Sequence, residues 1–495
     1  MLFLWNKIQF HLNSDMSSEL LLGSILSKQH RFLTDQWFYS TELRVLNTQI
    51  IYRLIFAFSN NWRIVRCVST GFMIVILLIS FYYLMNQLGC KKSVPFLAPL
   101  LIWNYSNEYC EIVAKAPFYL PHICISFLTV GMICQCVRSV KKSQKRLLIF
   151  LMAVLALLAG LGGPRQIVVL YLPILISSVI CFVIEKGVAF EKTQYMILCA
   201  VNFIFSVAGY FINVQILSKK YQFMNYDIHY KDFSLESLVE AFNGILRVLG
   251  YSDGKIFSFS TVLNGCMLLV IIMMAVSIYT GTARKGKTSY FDRLLSLYLL
   301  CALVIFISLY AFTDMDYTDR YNLPILIFVI PVIAVNMREI HCNQKVKKCI
   351  CAFVISLVYV CGVHHLYELT FEDRTVQIRE VTGYLLDKNV VNGYATFWNG
   401  NVMTELSNGE IEVWVTSSIE DLLRRNDNIF KWLQLTDHMD RKPEGKIFVL
   451  LTEEEYATCP KELLAQEEVA FSNTNYRLYI FNSYDEFTGV LEGHT

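Results

Sequence analysis

Charge is scarce in this sequence. Of 495 residues only 17% are Asp, Glu, Lys or Arg, against roughly 25% in soluble domains, which excludes an ordinary soluble protein. A bias of sign is missing too. With 43 Lys and Arg against 41 Asp and Glu the net charge is +2, so nothing points to nucleic acid or a strongly charged protein partner. Metal-site spacing is also lacking. The 15 cysteines lie mostly in or beside apolar runs, where the thiol behaves as a small hydrophobe. The pairs Cys134/Cys136 and Cys349/Cys351 have neither the spacing nor the His partners of a zinc site. No disulfide framework, metal site or cofactor is read from the chain, and a divalent-metal requirement is left open. No small-residue cleavage site follows "MLFLWNKIQFHL", so this opening stretch does not read as a signal peptide.

What the chain has in abundance is apolar residues, 55% of the total. Runs long enough to approach or cross a bilayer core of about 30 Å fall at residues 66–90, 117–137, 147–161, 167–184, 195–217, 261–280, 294–312, 323–337 and 349–362, with a shorter one at 94–105. The first dozen residues make only about 18 Å of helix, too little to span unaided. The expectation is a mainly α polytopic membrane protein of about 11 transmembrane helices, the first truncated because the natural chain begins upstream.

Alternate loops collect the cations. Seventeen lie in one set: Lys91, Lys92, Arg138, Lys141, Lys142, Lys145, Arg146, Lys186, Lys192, Arg284, Lys285, Lys287, Arg293, Arg338, Lys345, Lys347 and Lys348. Only Lys115, Arg165 and Arg320 lie in the short loops between them. The positive-inside rule puts the first set in the cytoplasm. By the same count residues 13–61, 218–258 and 365–495 face out, the last forming a small α/β domain after a membrane domain at 1–364. In that tail "YATFWNGNVMTELSNGEIEVWV" reads as two strands paired around Asn408-Gly409, "IEDLLRRNDNIFKWLQL" as a helix, "GKIFVLLTEEEYA" as a strand entering a helix, and "YRLYIFNS" as a final strand. It contains no nucleophile constellation, and either a lid or docking module or a stabilising cap accounts for it.

The first outer loop mixes apolar residues at helical spacing with Asp15, Glu19, Asp35 and other charges, which predicts interfacial helices lying on the membrane. Trp37, Phe38 and Tyr39 fit an aromatic belt at the headgroups. Asp15 and Glu19 form an i,i+4 like-charge pair that calls for a cation or a proton. Equally, Ser14 or Asp15 in "NSDMSSE" resembles a helix cap. Arg165, in the Gly-Gly-Pro turn of "GLGGPRQ", and Arg320, in "TDMDYTDRYNLP", run against the topological bias. A guanidinium at the outer headgroup plane suits a phosphate, whereas Asp314, Asp316 and Asp319 could instead neutralise Arg320. The second long loop opens with Lys219 and Lys220 and interleaves tyrosines with charge.

This layout resembles the membrane-embedded glycosyltransferases of the GT-C class, the group of protein O-mannosyltransferases and lipid A aminoarabinose transferases. The matching features are Asp15 with Glu19, the loop to residue 61, outward Arg165 and Arg320-Tyr321, and the outward tail; the short first span departs from the pattern. The resemblance implies transfer of a sugar from a polyprenyl-phosphate donor on the outer face, with inversion. It implies Asp15 as the base that deprotonates the acceptor, with Glu19 and Asp35 as alternates. Arg165, Arg320, Lys219 and Lys220 are expected at the donor phosphate, and Tyr321, Trp37 and Tyr39 at the substrate. The acceptor is a glycan, a lipid or a protein. The setting is a cell membrane, expected to be a bacterial plasma membrane.

Elementary chemistry points the same way. Nucleotide sugars are cytoplasmic, so an outward-facing carboxylate needs a donor already carried across, and its phosphate must be stabilised as it leaves. The competing expectation is a transporter or flippase of a lipid-linked sugar. That activity asks for polar residues at the membrane midplane, where these runs are nearly free of charge.

Overall fold

The computed structural model describes residues 2–41, 43, 45–103, 106–184, 189–223, 228–251, 259–283, 289–315, 317–339, 344–424, 429–459 and 468–492. The opening segment is short. Helix α1 (Leu2–Lys7) and a tight turn Ile8–His11 end where Leu12 and Asn13 turn extended, before α2 (Ser14–Lys28) and α3 (Gln49–Phe56). The nine longer apolar runs all become helical: α4 (Trp62–Gln87), α7 (Leu120–Arg138), α8 (Lys142–Leu161), α9 (Leu172–Ile184) with the turn before it, α10 (Ala189–Gln215), α12 (Phe259–Ala283), α13 (Tyr290–Phe312), α15 (Val329–Glu339) after short α14 (Leu323–Leu326), and α16 (Gln344–Phe371). Among the described residues eight helical stretches are long and apolar enough to cross a membrane. The run at 94–105 is described only to residue 103, and its helix is short. Its described part forms α5 (Val94–Leu101), eight residues containing Pro99, only about 12 Å of helix; α6 is Asn107–Cys110.

Helix ends beside three of the cation-bearing loops meet where Arg338 donates to the Leu88 carbonyl at 2.6 Å and pairs with Asp292. Elsewhere the first loop, the turns before α7 and α9, the second long loop with α11 (Leu235–Val248), and the tail converge. There His11 Nε2 donates to the Leu369 carbonyl at 2.8 Å. Helix α16 continues past residue 364 to Phe371, so the tail proper opens with α17 (Val376–Asp387).

The tail builds a five-stranded sheet in the order β4-β3-β5-β7-β6. Strands β3 (Asn392–Thr396), β4 (Glu412–Thr416) and β5 (Ile447–Thr452) are parallel, while β7 (Tyr476–Phe481) runs antiparallel to both β5 and the short edge strand β6 (Phe471–Ser472). The expected hairpin at Asn408-Gly409 is a β–helix–β unit instead. Helix α18 (Phe397–Leu406) fills the middle, and Asn408 (φ +55) with Gly409 (φ +83) ends it, the Gly409 N–H donating to the Thr404 carbonyl at 2.7 Å. A left-handed pair closes a helix as readily as a hairpin. The expected helix across "IEDLLRRNDNIFKWLQL" is only α19 (Ile419–Leu423). Residues 425–428 lie outside the described set, and the chain beyond runs irregularly to exchange bonds with Phe38, from Leu433 N–H to its carbonyl and from its N–H to Gln434, both 2.8 Å. The strand-to-helix step at β5 and α20 (Glu453–Thr458) and the final strand β7 follow the sequence pattern, with α21 (Tyr484–Glu492) closing the chain.

The first loop differs most from the interfacial expectation. Helix α2 is largely buried, packed between α3 and α18. Strand β1 (Phe38–Tyr39) pairs with β2 (Gln222–Phe223) of the second loop. Trp37 and Tyr39 are 0% and 3% exposed in a cluster with Leu22, Leu26, Phe397 and Val415. They are the core that joins loop to tail, not headgroup anchors.

Candidate active site

Helix α2 begins because Asn13, extended, accepts the Met16 N–H on its side chain at 2.9 Å. Asn13 is thus the cap expected of Ser14 or Asp15, and Asp15 in the first turn is free to reach outward. Its Oδ2 lies 2.8 Å from Arg320 Nη1, with the two side chains 18% and 30% exposed. A carboxylate at a helix N-terminus facing a guanidinium is favourable on both counts. The Asn13 amide also donates to Glu111 Oε1 at 2.9 Å, tying α2 to the turn Glu111–Lys115.

Arg320 sits in the turn Asp319–Asn322 at the head of α14. The nearby acids do not neutralise it. Asp319 is held by Arg247 of α11 through contacts of 2.6 and 2.8 Å, which raise the Arg247 pKa further. Asp314 Oδ1 accepts the His229 N–H at 2.8 Å, and Asp316 lies outside the described residues. Arg320 Nε is buried without a hydrogen-bond partner.

Arg165 follows the turn Gly162-Gly163-Pro164, where Gly163 adopts φ +113, a backbone closed to most side chains. Its guanidinium lies over the rings of Tyr119 and Tyr321 at 4.8 and 5.1 Å. Arg320 lies 6.0 Å from the ring of Phe118. Cation–π contact helps to hold each charge in place.

Of the residues expected at a site, Asp15, Arg165, Arg320 and Tyr321 therefore meet. The rest do not join them. Glu19 is buried, accepting from Thr48 Oγ1 at 3.1 Å beside Trp37 and Tyr39. Asp35 pairs with Arg31 at 3.7 Å on the surface, 49% exposed. Lys219 and Lys220 are exposed, Lys220 lying 5.4 Å from the Tyr221 ring. Trp37 and Tyr39 serve the core described above. Phe118 and Tyr119 were hidden in an apolar run. Lys115, the third cation of the cation-poor loops, is 2% exposed, and burial lowers its pKa. Among the described residues no group of three His, Cys, Asp or Glu side chains is placed to hold a metal ion.

A cleft of about 740 Å³ adjoins this centre, lined among others by Lys231, Glu236, Glu240, Tyr310, Asp314 and Tyr317. The turn Asp319–Asn322 separates it from Asp15: Asp319 faces α11 on one side, and Arg320 faces Asp15 on the other.

This arrangement is similar in fold to a solved membrane glycosyltransferase of the GT-C class. No family model matches the sequence, and no curated protein does. Among solved structures the chain is similar to ArnT from Cupriavidus metallidurans bound to undecaprenyl phosphate, with TM-score 0.56 at 10% identity over 97% of this chain and 96% of that one. The apo form of the same protein gives 0.55 at 9% identity over the same shares. An oligosaccharyltransferase from Archaeoglobus fulgidus tethered to an acceptor peptide gives 0.47 at 9% identity, over 83% of this chain and 61% of that one. At these identities the likeness is one of fold.

Proposed function

We propose that this protein transfers a sugar from a polyprenyl-phosphate donor to an acceptor hydroxyl at the outer face of the membrane, with inversion. The observation that carries the reading is the Asp15–Arg320 pair beside Arg165, a base and two phosphate-suited cations at one end of a multi-pass bundle. The ArnT structure bound to undecaprenyl phosphate supports the donor class.

In this reading the donor phosphate lies against Arg320 Nε–H and the Arg165 guanidinium. Asp15 takes the acceptor proton, the acceptor oxygen forms a bond to the anomeric carbon from the opposite side, and the bond from that carbon to phosphate oxygen breaks. The charge gathering on the phosphate is stabilised by the two arginines. Competition between phosphate and Asp15 for Arg320 couples donor binding to release of the base. The cleft across the Asp319–Asn322 turn is suited to the rest of the acceptor by its tyrosine walls and its proximity. The tail and first loop lie outside the cell in this account, and the membrane is a bacterial plasma membrane.

The test is incubation of the protein in nanodiscs with labelled undecaprenyl-phosphate sugars and envelope extracts as acceptors. Transfer of label together with release of undecaprenyl phosphate supports the reading. Movement of intact donor between leaflets without transfer supports the flippase alternative, and neither event sinks both.

A further inference from the structure

The C-terminal domain carries no group of the proposed chemistry, yet its helix α18 packs directly on α2, the helix that presents Asp15. The junction is organised by one side chain. Arg66, near the start of α4, is 1% exposed and reaches three other segments at once. Its Nε and Nη2 make 2.5 Å bonds to the two carboxylate oxygens of Glu405 on α18. Nη2 also donates to the Met16 carbonyl at 3.0 Å, and Nη1 to the Lys115 carbonyl at 3.4 Å. Met16 is the residue after Asp15. Lys115 belongs to the turn whose Glu111 holds the α2 cap, Asn13.

Two further contacts fix the domain to the same spot. The Trp62 N–H, one turn before Arg66, donates to Asn408 Oδ1 at 3.1 Å. Gly409 approaches the Trp62 ring so closely that a Cβ there would lie 2.7 Å from Trp62 Cζ2.

A buried ion pair is a poor way simply to attach a domain. Apolar residues of similar volume do that as well or better, because desolvation offsets the attraction between the charges. What the pair supplies is direction: a bidentate carboxylate sets the plane of the guanidinium, and that plane sets where the remaining N–H groups point. Here one of them points at the backbone of the first turn of α2.

We propose that the C-terminal domain takes part in transfer through Glu405, which orients Arg66 so that Arg66 holds the Met16 carbonyl and keeps the Asp15 carboxylate aligned with the acceptor hydroxyl. Glu405 and Arg66 are positioning residues. The proposal rests on the transferase reading above and assigns the domain a role in the rate of the chemical step.

The test compares Glu405→Gln, Arg66→Lys and the exchanged pair Arg66→Glu/Glu405→Arg with the full-length wild type in nanodiscs, using the labelled undecaprenyl-phosphate sugar and envelope extract. Glu405→Gln and Arg66→Lys lower kcat by about 10- to 100-fold, the scale of a small misplacement of a reacting group, while donor KM stays within about twofold. Amide exchange at residues 16–18 quickens. The exchanged pair restores the ion pair and the melting temperature but leaves the Met16 carbonyl without its donor, so kcat stays low. Recovery of kcat along with melting temperature overturns the proposal, because attachment alone then suffices. Unchanged kcat in Glu405→Gln overturns it as well. A wild type that transfers nothing overturns the transferase reading, and this proposal with it.

Discussion

Arg247 holds Asp319 through two contacts of 2.6 and 2.8 Å, and so leaves its neighbour Arg320 to Asp15. Without that tether the nearest competitor for the Arg320 guanidinium would be the carboxylate beside it in sequence. Arg247→Met is expected to free Asp319 to screen Arg320 and to weaken undecaprenyl phosphate binding by about 3- to 10-fold, the scale of one partly exposed charge interaction. Adding Asp319→Asn restores the affinity. A fluorescence titration in nanodiscs measures this, and equal affinity in all three proteins refutes the arrangement.

Arg165 is held over Tyr119 and Tyr321 as a planar cation. Lysine keeps the charge but loses the flat stacking and the fork of donors. Arg165→Lys is therefore expected to lose most of what Arg165→Ala loses, on the order of tenfold or more in kcat/KM for the donor. Tyr119→Leu should show a smaller loss in the same parameter. A lysine variant at wild-type activity would reduce Arg165 to a generic charge.

Within the sheet, Glu412 accepts from His438 at 3.1 Å and from Arg441, and the His438 ring stacks on Trp414 at 4.5 Å. Partial burial opposes ionisation, yet the His438 and Arg441 partners hold the carboxyl down to about 2, from an ordinary 4.5. A depressed carboxylate contributes stability above its unfolded value and loses it as pH falls through the folded one. Glu412→Gln should therefore lower the unfolding midpoint at pH 7 by a few degrees, with the gap to wild type closing below pH 4.5 towards pH 2. Thermal unfolding followed at each pH reports it, and a gap independent of pH would show that the ion pair is not the cause.

The legible part of the candidate site was the part marked by charge against the pattern of the loops. Arg165 and Arg320 stand out because the loops alternating with the cation-rich ones are otherwise poor in cations, and Asp15 because it opens the first of those loops. What could not be read depended on contacts distant in sequence. Trp37 and Tyr39 have the composition of a headgroup belt, and only docking of the tail, through Leu433 and Gln434, turns them into core. Asn408-Gly409 carries the same left-handed pair in a hairpin or at a helix end, and local chemistry does not choose between them. Arg66 opens an apolar run, and Glu405 falls in a segment whose pattern reads as paired strands and which folds as helix α18. Nothing near either residue signals a partner 339 positions away. The longer spans were legible from length and hydropathy, and eight stretches among the described residues qualify where about 11 were expected; the opening segment forms only the short helix Leu2–Lys7 and the described part of the 94–105 run only eight residues of helix.

The central claim is that Asp15 is the base. Asp15→Asn keeps the size of the side chain and its place in the first turn of α2 but removes the charge that accepts the proton. With labelled undecaprenyl-phosphate sugar and acceptor extract in nanodiscs, the expected result is a loss of transfer of about 10²-fold or more, with undecaprenyl phosphate still bound and the melting temperature near that of wild type. Turnover near the wild-type rate in this variant would contradict the account.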